Sequence, residues 1–282
     1  MDARTAVFGL ILFLSAYTAA RAAQDELYSF ASDRPAEFEA FAASAPVFEM
    51  KMQNVLSAVV PHHLLAGPQL YAFFRALSAH SRGVKRIVIV GPDHFVQELP
   101  LVILSDLPWK TPYGRVENDG AVTASLSSSL PFAEVLSAVH NKEHSVSSLI
   151  PFAARFFPGI PVAPVIVKPW LDDDQVDALG DALASLPAGT LVILSTDFVH
   201  YKKKAETEAL DAANERLIGE RFRGGSGEGI RCDCVKGLSA LFRFNGRIGL
   251  PRAEKVFYTN SHAITGKDEP GTSYFFYVFG RP

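Results

Sequence analysis

The chain has 282 residues, 48% hydrophobic and 20% charged, with a net charge of −3. That length makes one large domain or two small ones, and the apolar fraction suffices for a full core, which excludes a disordered chain. No basic surplus draws the chain onto nucleic acid or anionic lipid, and two cysteines cannot build a disulfide scaffold.

The first apolar run reads as a targeting segment. Residues 1–23 (MDARTAVFGLILFLSAYTAARAA) carry Arg4, then an apolar stretch over 6–20, then Ala20-Arg21-Ala22. That order is the charged start, apolar core and small-x-small cleavage pattern of a signal peptide. The apolar stretch is short for a bilayer span. Cleavage is expected near Ala22 or Ala23, which leaves residues 24–282 as a single exported domain, periplasmic or extracellular, with no stable membrane insertion.

Strands and helices then alternate. Residues 55–60 (VLSAVV) form an apolar run stopped by Pro61, and 70–80 (LYAFFRALSAH) carry apolar residues at helical spacing. Residues 86–90 (RIVIV) predict a buried strand that ends at Gly91-Pro92, and 101–104 (LVIL) a second short one. Residues 133–139 fit either class. Residues 149–157 predict a helix and 161–167 a strand. Asp172, Asp173 and Asp174 open a helix through Leu186, with acid where the helix dipole favours it. A strand over 191–195, a polar-faced helix over 203–222, a glycine-rich stretch over 224–229 and a helix over 235–243 follow. Residues 255–259 and 273–279 are closing strands, rich in aromatic and β-branched residues. Continuous apolar strands separated by helices require a sheet covered on both faces, so the fold class is α/β with a mostly parallel sheet.

Three of these strand ends carry histidine. VLSAVV runs into Pro61-His62-His63, RIVIV into Gly91-Pro92-Asp93-His94, and LVILS into Thr196-Asp197-Phe198-Val199-His200. Ligands of open α/β sheets bind outside the carboxyl ends of the strands. If these strands are parallel neighbours, His62, His94, Asp197 and His200 converge on one rim. Histidine and aspartate are the side chains that bind first-row metals or move protons near neutral pH. Two other features can join them. Glu143-His144-Ser145 precedes a helix, where the alternative is a plain N-cap at Ser145. Cys232-Asp233-Cys234 also precedes a helix, where a thiolate has a lowered pKa and binds metal well. One intervening residue makes a relaxed disulfide between them awkward.

Pro61-His62-His63, Gly91-Pro92-Asp93-His94, Thr111-Pro112, Glu143-His144-Ser145 with Pro151-Phe152, and Ser195-Thr196-Asp197-Phe198-Val199-His200-Tyr201 stand in the order found in Memo-like proteins. The chain resembles that family from about Val55 to Phe279. The resemblance implies a fold similar to the class III extradiol ring-cleavage dioxygenases, which use non-haem iron, and an iron or copper site with redox chemistry. It implies His62, His94 and Cys232 as metal ligands, Asp197 and His200 lining the same pocket, and His144 as a further pocket residue. The chain departs from the family where Glu and His often follow the EHS motif and where Ser147 and Leu149 stand here. The late ligand also stays open between Cys232, Asp233 and Cys234. Two histidines with a carboxylate suit non-haem Fe(II), and two with a thiolate suit copper.

The expected function is metal-dependent redox or dioxygenase-type chemistry on a small molecule. His200 is the acid/base group, Asp197 orients a histidine, and Phe95 and Phe198 form an apolar wall. A metal-assisted hydrolase with Asp197 or Glu143 as base, and a non-catalytic protein that binds a small ligand or peptide, are the alternatives. The sequence leaves the oligomeric state open.

Overall fold

The apolar runs become strands buried on both faces. The structure is a computed structural model that describes residues 25–95 and 100–281; the leader read over 1–23 lies outside the described residues. Its strands are β1 Leu27–Tyr28, β2 Gln53–Val60, β3 Arg86–Pro92, β4 Val102–Leu104, β5 Trp109–Thr111 and β6 Gly114–Val116, then β7 Ala133–Val135, β8 Val162–Val167, β9 Thr190–Ser195, β10 His200–Lys202, β11 Arg252–Asn260 and β12 Gly271–Arg281. Nine of them form one sheet in the order β10-β12-β2-β9-β3-β8-β4-β7, with β11 also paired to β12, while β1, β5 and β6 form a small separate sheet.

The expected parallel sheet is found at the centre, where β2, β9, β3 and β8 all run the same way. The flanks turn it into a mixed sheet, because β12 runs antiparallel to β2 and β4 antiparallel to β8. Side chains alternate across each central strand. Val88 and Val90 of β3 and Val192 and Leu194 of β9 enter one core cluster, where they meet Leu179, Leu238 and Phe242. Ile87, Ile89, Leu191 and Ile193 enter the other, with Phe74, Leu77 and Phe152. This period-2 division makes a strand buried on both sides read as an unbroken apolar run. Each such side chain contributes roughly 1.5–3 kcal/mol by leaving water.

Helices cover both faces. Gly67–His80 and Ile150–Phe156 lie on one, Asp173–Ala184 and Val235–Arg247 on the other. The acid-opened helix starts where the sequence predicts, with Asp172 and Gln175 forming a reciprocal capping box. The ambiguous stretch over 133–139 splits into β7 and a 3-10 turn over Ser137–Asn141. Helix Gly120–Ser129 was not predicted. Its sequence, GAVTASLSSS, has little apolar periodicity, and Asp119 starts it by accepting a hydrogen bond from the Val122 N–H. Because the four central strands are parallel, their carboxyl ends share one rim, which carries His62, Asp197, His94 and, at the end of β8, Lys168.

Candidate metal centre

Pro61 ends β2, so His62 leaves the sheet at the rim. Its N–H donates to Asp197 Oδ1 at 3.1 Å, across the gap from β9. Pairing between the two strands continues one step further, with the Thr196 N–H on the Val60 carbonyl at 2.8 Å. Beyond β3, the His94 N–H donates to Glu143 Oε2 at 2.7 Å. Glu143 is fixed in turn as the N-cap of the short helix His144–Ser147, where its carboxylate accepts the Ser145 N–H. Asp233 sits in the loop before helix Val235–Arg247. Its Oδ1 accepts from the Thr196 hydroxyl at 2.7 Å and from the Asp197 N–H at 3.1 Å.

Those contacts leave Asp233 Oδ2 facing the centre. It is buried and has no hydrogen-bond partner among the described residues. Around it stand Nε2 of His62 at 3.4 Å, of His94 at 3.7 Å and of His200 at 3.8 Å. Two overlapping groups have ligand atoms within 4.8 Å of one another: His62, His94 and His144, and His62, Asp197 and Asp233. His144 stacks on the His94 ring with centroids 4.2 Å apart, and its ring meets that of His62 edge-on at 5.3 Å.

The outer partners fix the tautomers. Ser195 donates its hydroxyl proton to the Ser145 carbonyl, so toward His62 it can only accept, and the His62 Nδ1–H donates to it at 3.0 Å. His94 Nδ1–H donates to Glu143 Oε1 at 2.8 Å. Both rings therefore turn Nε2 inward, as metal-binding histidines do when a second group holds the other nitrogen.

Electrostatics follow from the carboxylates. Burial works against a charge on His94, but the nearby Asp233 carboxylate and the hydrogen-bonded Glu143 carboxylate raise its pKa to about 10. His62 is pulled the same way: burial lowers its pKa, and Asp197 and Asp233 more than reverse that. Burial alone would raise the Glu143 carboxyl, yet bonds from the His94 ring, the His94 N–H and the Ser145 N–H hold it at about 2. Burial raises Asp233 too, and His62 and His94 pull it below the usual carboxylate range. His144 shifts down, through burial and then the neighbouring His94 and His62. In sum, the site concentrates negative charge on oxygen and carries histidines ready to exchange a proton for a cation.

The structure brings together His62, His94, His144, Asp197 and His200. Cys232 contributes no atom to either group, and of the three residues left open for the late ligand it is Asp233 that reaches the centre. The lowered thiol pKa expected at a helix start is not found. Burial pushes Cys232 up to about 12 and raises Cys234 well above its ordinary value, and both thiols are free. Phe198 is also misplaced by the sequence reading, since it packs on Phe275 inside the core, while Phe95 is exposed at the rim. Ser147 and Leu149 are buried, and the Ser147 hydroxyl donates to the Glu143 carbonyl at 2.9 Å. Thr111 closes the β5–β6 turn of the small sheet by donating to the Gly114 carbonyl. Sequence reasoning missed Lys168 at the end of β8. The strand run ending in Val167 was the available signal, since the residue after a parallel strand belongs to the rim.

The sequence model of the Memo-like protein family matches residues 30–270. The chain belongs to that family. It is 33% identical over 171 residues to a MEMO1 family protein of Thermotoga maritima, covering 58% of this chain and 60% of that protein. It is 29% identical over 240 residues to a MEMO1 family protein of Methanosarcina barkeri, covering 77% and 84%. The match to the Thermotoga relative thus spans less than two thirds of that protein's length. Among solved structures, the Memo-like fold seen here is similar to an uncharacterized protein from Escherichia coli K12, with a TM-score of 0.50 over 78% of this chain and 98% of that one. At 12% identity, that likeness concerns the fold alone.

Proposed function

We propose that this Memo-like protein is an exported, metal-dependent oxidoreductase acting on a small molecule, with the metal held by His62, His94 and Asp233. What supports the reading is the buried Asp233 Oδ2, which lacks a hydrogen-bond partner among the described residues and faces three imidazole Nε2 atoms. In the metal-free protein the neighbouring imidazoles balance this carboxylate, and a metal cation held between Oδ2 and the Nε2 atoms would take the place of their protons. Two imidazoles and a carboxylate suit non-haem Fe(II) better than copper, and such an ion would supply electron transfer with dioxygen.

The chain's own residues do the rest. Glu143 and Ser195 hold the inward tautomers of His94 and His62. Asp197 orients His62 through its backbone N–H. His144, with its pKa lowered, is neutral near pH 7 and accepts a proton from the substrate. His200, at the edge of the centre, is the second group for proton transfer. Phe95 offers an apolar surface beside His94.

Elemental analysis of protein purified anaerobically, beside the double variant His62→Ala/His94→Ala, tests the metal. Stoichiometric iron in the wild type and none in the variant is expected; no metal in either, even after reconstitution, overturns the reading. Dioxygen uptake with candidate substrates then separates oxidation from hydrolysis. Export is tested by N-terminal sequencing of the mature chain, which is expected to begin near Ala23 or the residue after it.

A further inference from the structure

Asp93 and Lys168 stand at the ends of adjacent strands. Pro92 pairs with Val167 in the β3–β8 register, and the Asp93 N–H continues the ladder to the Val167 carbonyl at 3.2 Å. Lys168 Nζ meets Asp93 Oδ2 at 2.5 Å, with the two side chains 0% and 1% exposed. Neither residue belongs to the metal-ligating groups. A fully buried ion pair is a poor device for stability, because two apolar side chains of the same volume serve as well or better. What the pair does supply is geometry. Asp93 Oδ1 accepts the Phe95 N–H at 2.9 Å, which bends the backbone across the intervening His94. That bend aims both the His94 N–H and its Nδ1–H at the Glu143 carboxylate.

We propose that the Asp93–Lys168 pair is a positioning device for His94: the ammonium fixes the aspartate, and the aspartate fixes the turn that presents His94 Nε2 to the centre. This rests on the metal reading above. Lys168 and Asp93 are positioning residues and touch neither metal nor substrate.

The test compares the metal-free full chain with the double variant Lys168→Met/Asp93→Asn, which removes both charges at nearly constant volume. Two quantities are read. The first is the dissociation constant and visible spectrum of added cobalt(II). The second is the downfield proton resonance of His94 Nδ1 in the metal-free protein, identified by its loss in His94→Ala. The double variant is expected to keep a thermal midpoint close to wild type, to bind cobalt(II) about tenfold or more weakly, in the range of other partners of metal ligands, with altered visible bands, and to lose the resonance. Unchanged cobalt affinity, or an unchanged His94 resonance, overturns the proposal. Should the wild type take up no cobalt, the metal reading falls and the resonance alone decides the positioning. Should the double variant not fold, Phe95→Pro, which removes the N–H that Asp93 Oδ1 holds and leaves the buried pair intact, is read in the same two ways, and wild-type values overturn the proposal.

Discussion

Asp233 is flanked by two cysteines, and a one-residue change in the register of its loop would put sulfur where oxygen now sits. The hydrogen bonds from Thr196 and the Asp197 N–H to Oδ1 hold the register. Asp233→Asn is therefore expected to weaken metal binding, and Asp233→Cys to shift preference toward copper or zinc, since thiolate is the softer donor; competitive loading followed by elemental analysis checks both. The same residues set a pH dependence. His94 rises from 6.5 to about 10 on folding, so it stabilises the metal-free fold below pH 6.5 and that contribution is lost as pH rises through 10. Glu143 falls from 4.5 to about 2, so its contribution is present above pH 4.5 and lost as pH falls through 2. The thermal midpoint of metal-free protein is expected to drop between pH 6.5 and 10. Metal affinity should rise over that window, because the cation displaces the Nε2 proton. A flat profile for both quantities would contradict this account.

At the scale of elements, the site depends on how closely helix His144–Ser147 sits on β3. A Cβ at Gly91 would lie 2.6 Å from Ser145 Oγ, which donates to the Pro92 carbonyl at 2.8 Å. Gly91→Ala forces the helix outward and carries Glu143 away from His94. A loss of about 1–3 kcal/mol is expected from overpacking, together with weaker metal binding. Asp172→Ala, at the capping box of a helix that packs on the other face of the sheet, is expected to cost about 1 kcal/mol with metal affinity unchanged. Chemical denaturation and cobalt titration of both variants separate a general loss of stability from a loss at the site. The glycine before Pro92 was visible in the sequence as a turn signal; that it makes room for Ser145 was not, because the two residues are remote in sequence.

At the scale of the molecule, the four central strands feed both core clusters, so the two faces share their framework. Phe242 packs on one face and Phe152 on the other, both fully buried. Truncating either to alanine is expected to cost about 3–5 kcal/mol and to shift one common urea transition seen by circular dichroism. Separate transitions for the two faces would show that the framework is not shared. The same sharing explains which parts of the fold the sequence disclosed. VLSAVV, RIVIV and LVILS are apolar without interruption because alternate residues enter opposite clusters, and a covered parallel centre follows from that alone. The antiparallel flanks were not legible, since SYFFYVF would read the same in either direction.

Local composition and spacing by themselves determined the α/β class, the two-sided burial and the placement of His62, His94, Asp197 and His200 at strand ends. Those features depend on chain-local periodicity and on where a buried strand must stop. Tertiary structure alone decided which residue of Cys232-Asp233-Cys234 reaches the centre, that Phe198 turns into the core, that Glu143 and Ser195 fix the histidine tautomers, and that Lys168 pairs with Asp93. Each of these depends on contacts between residues distant in the chain, where side-chain direction is set by the packing of a neighbouring element and local spacing carries no record of it.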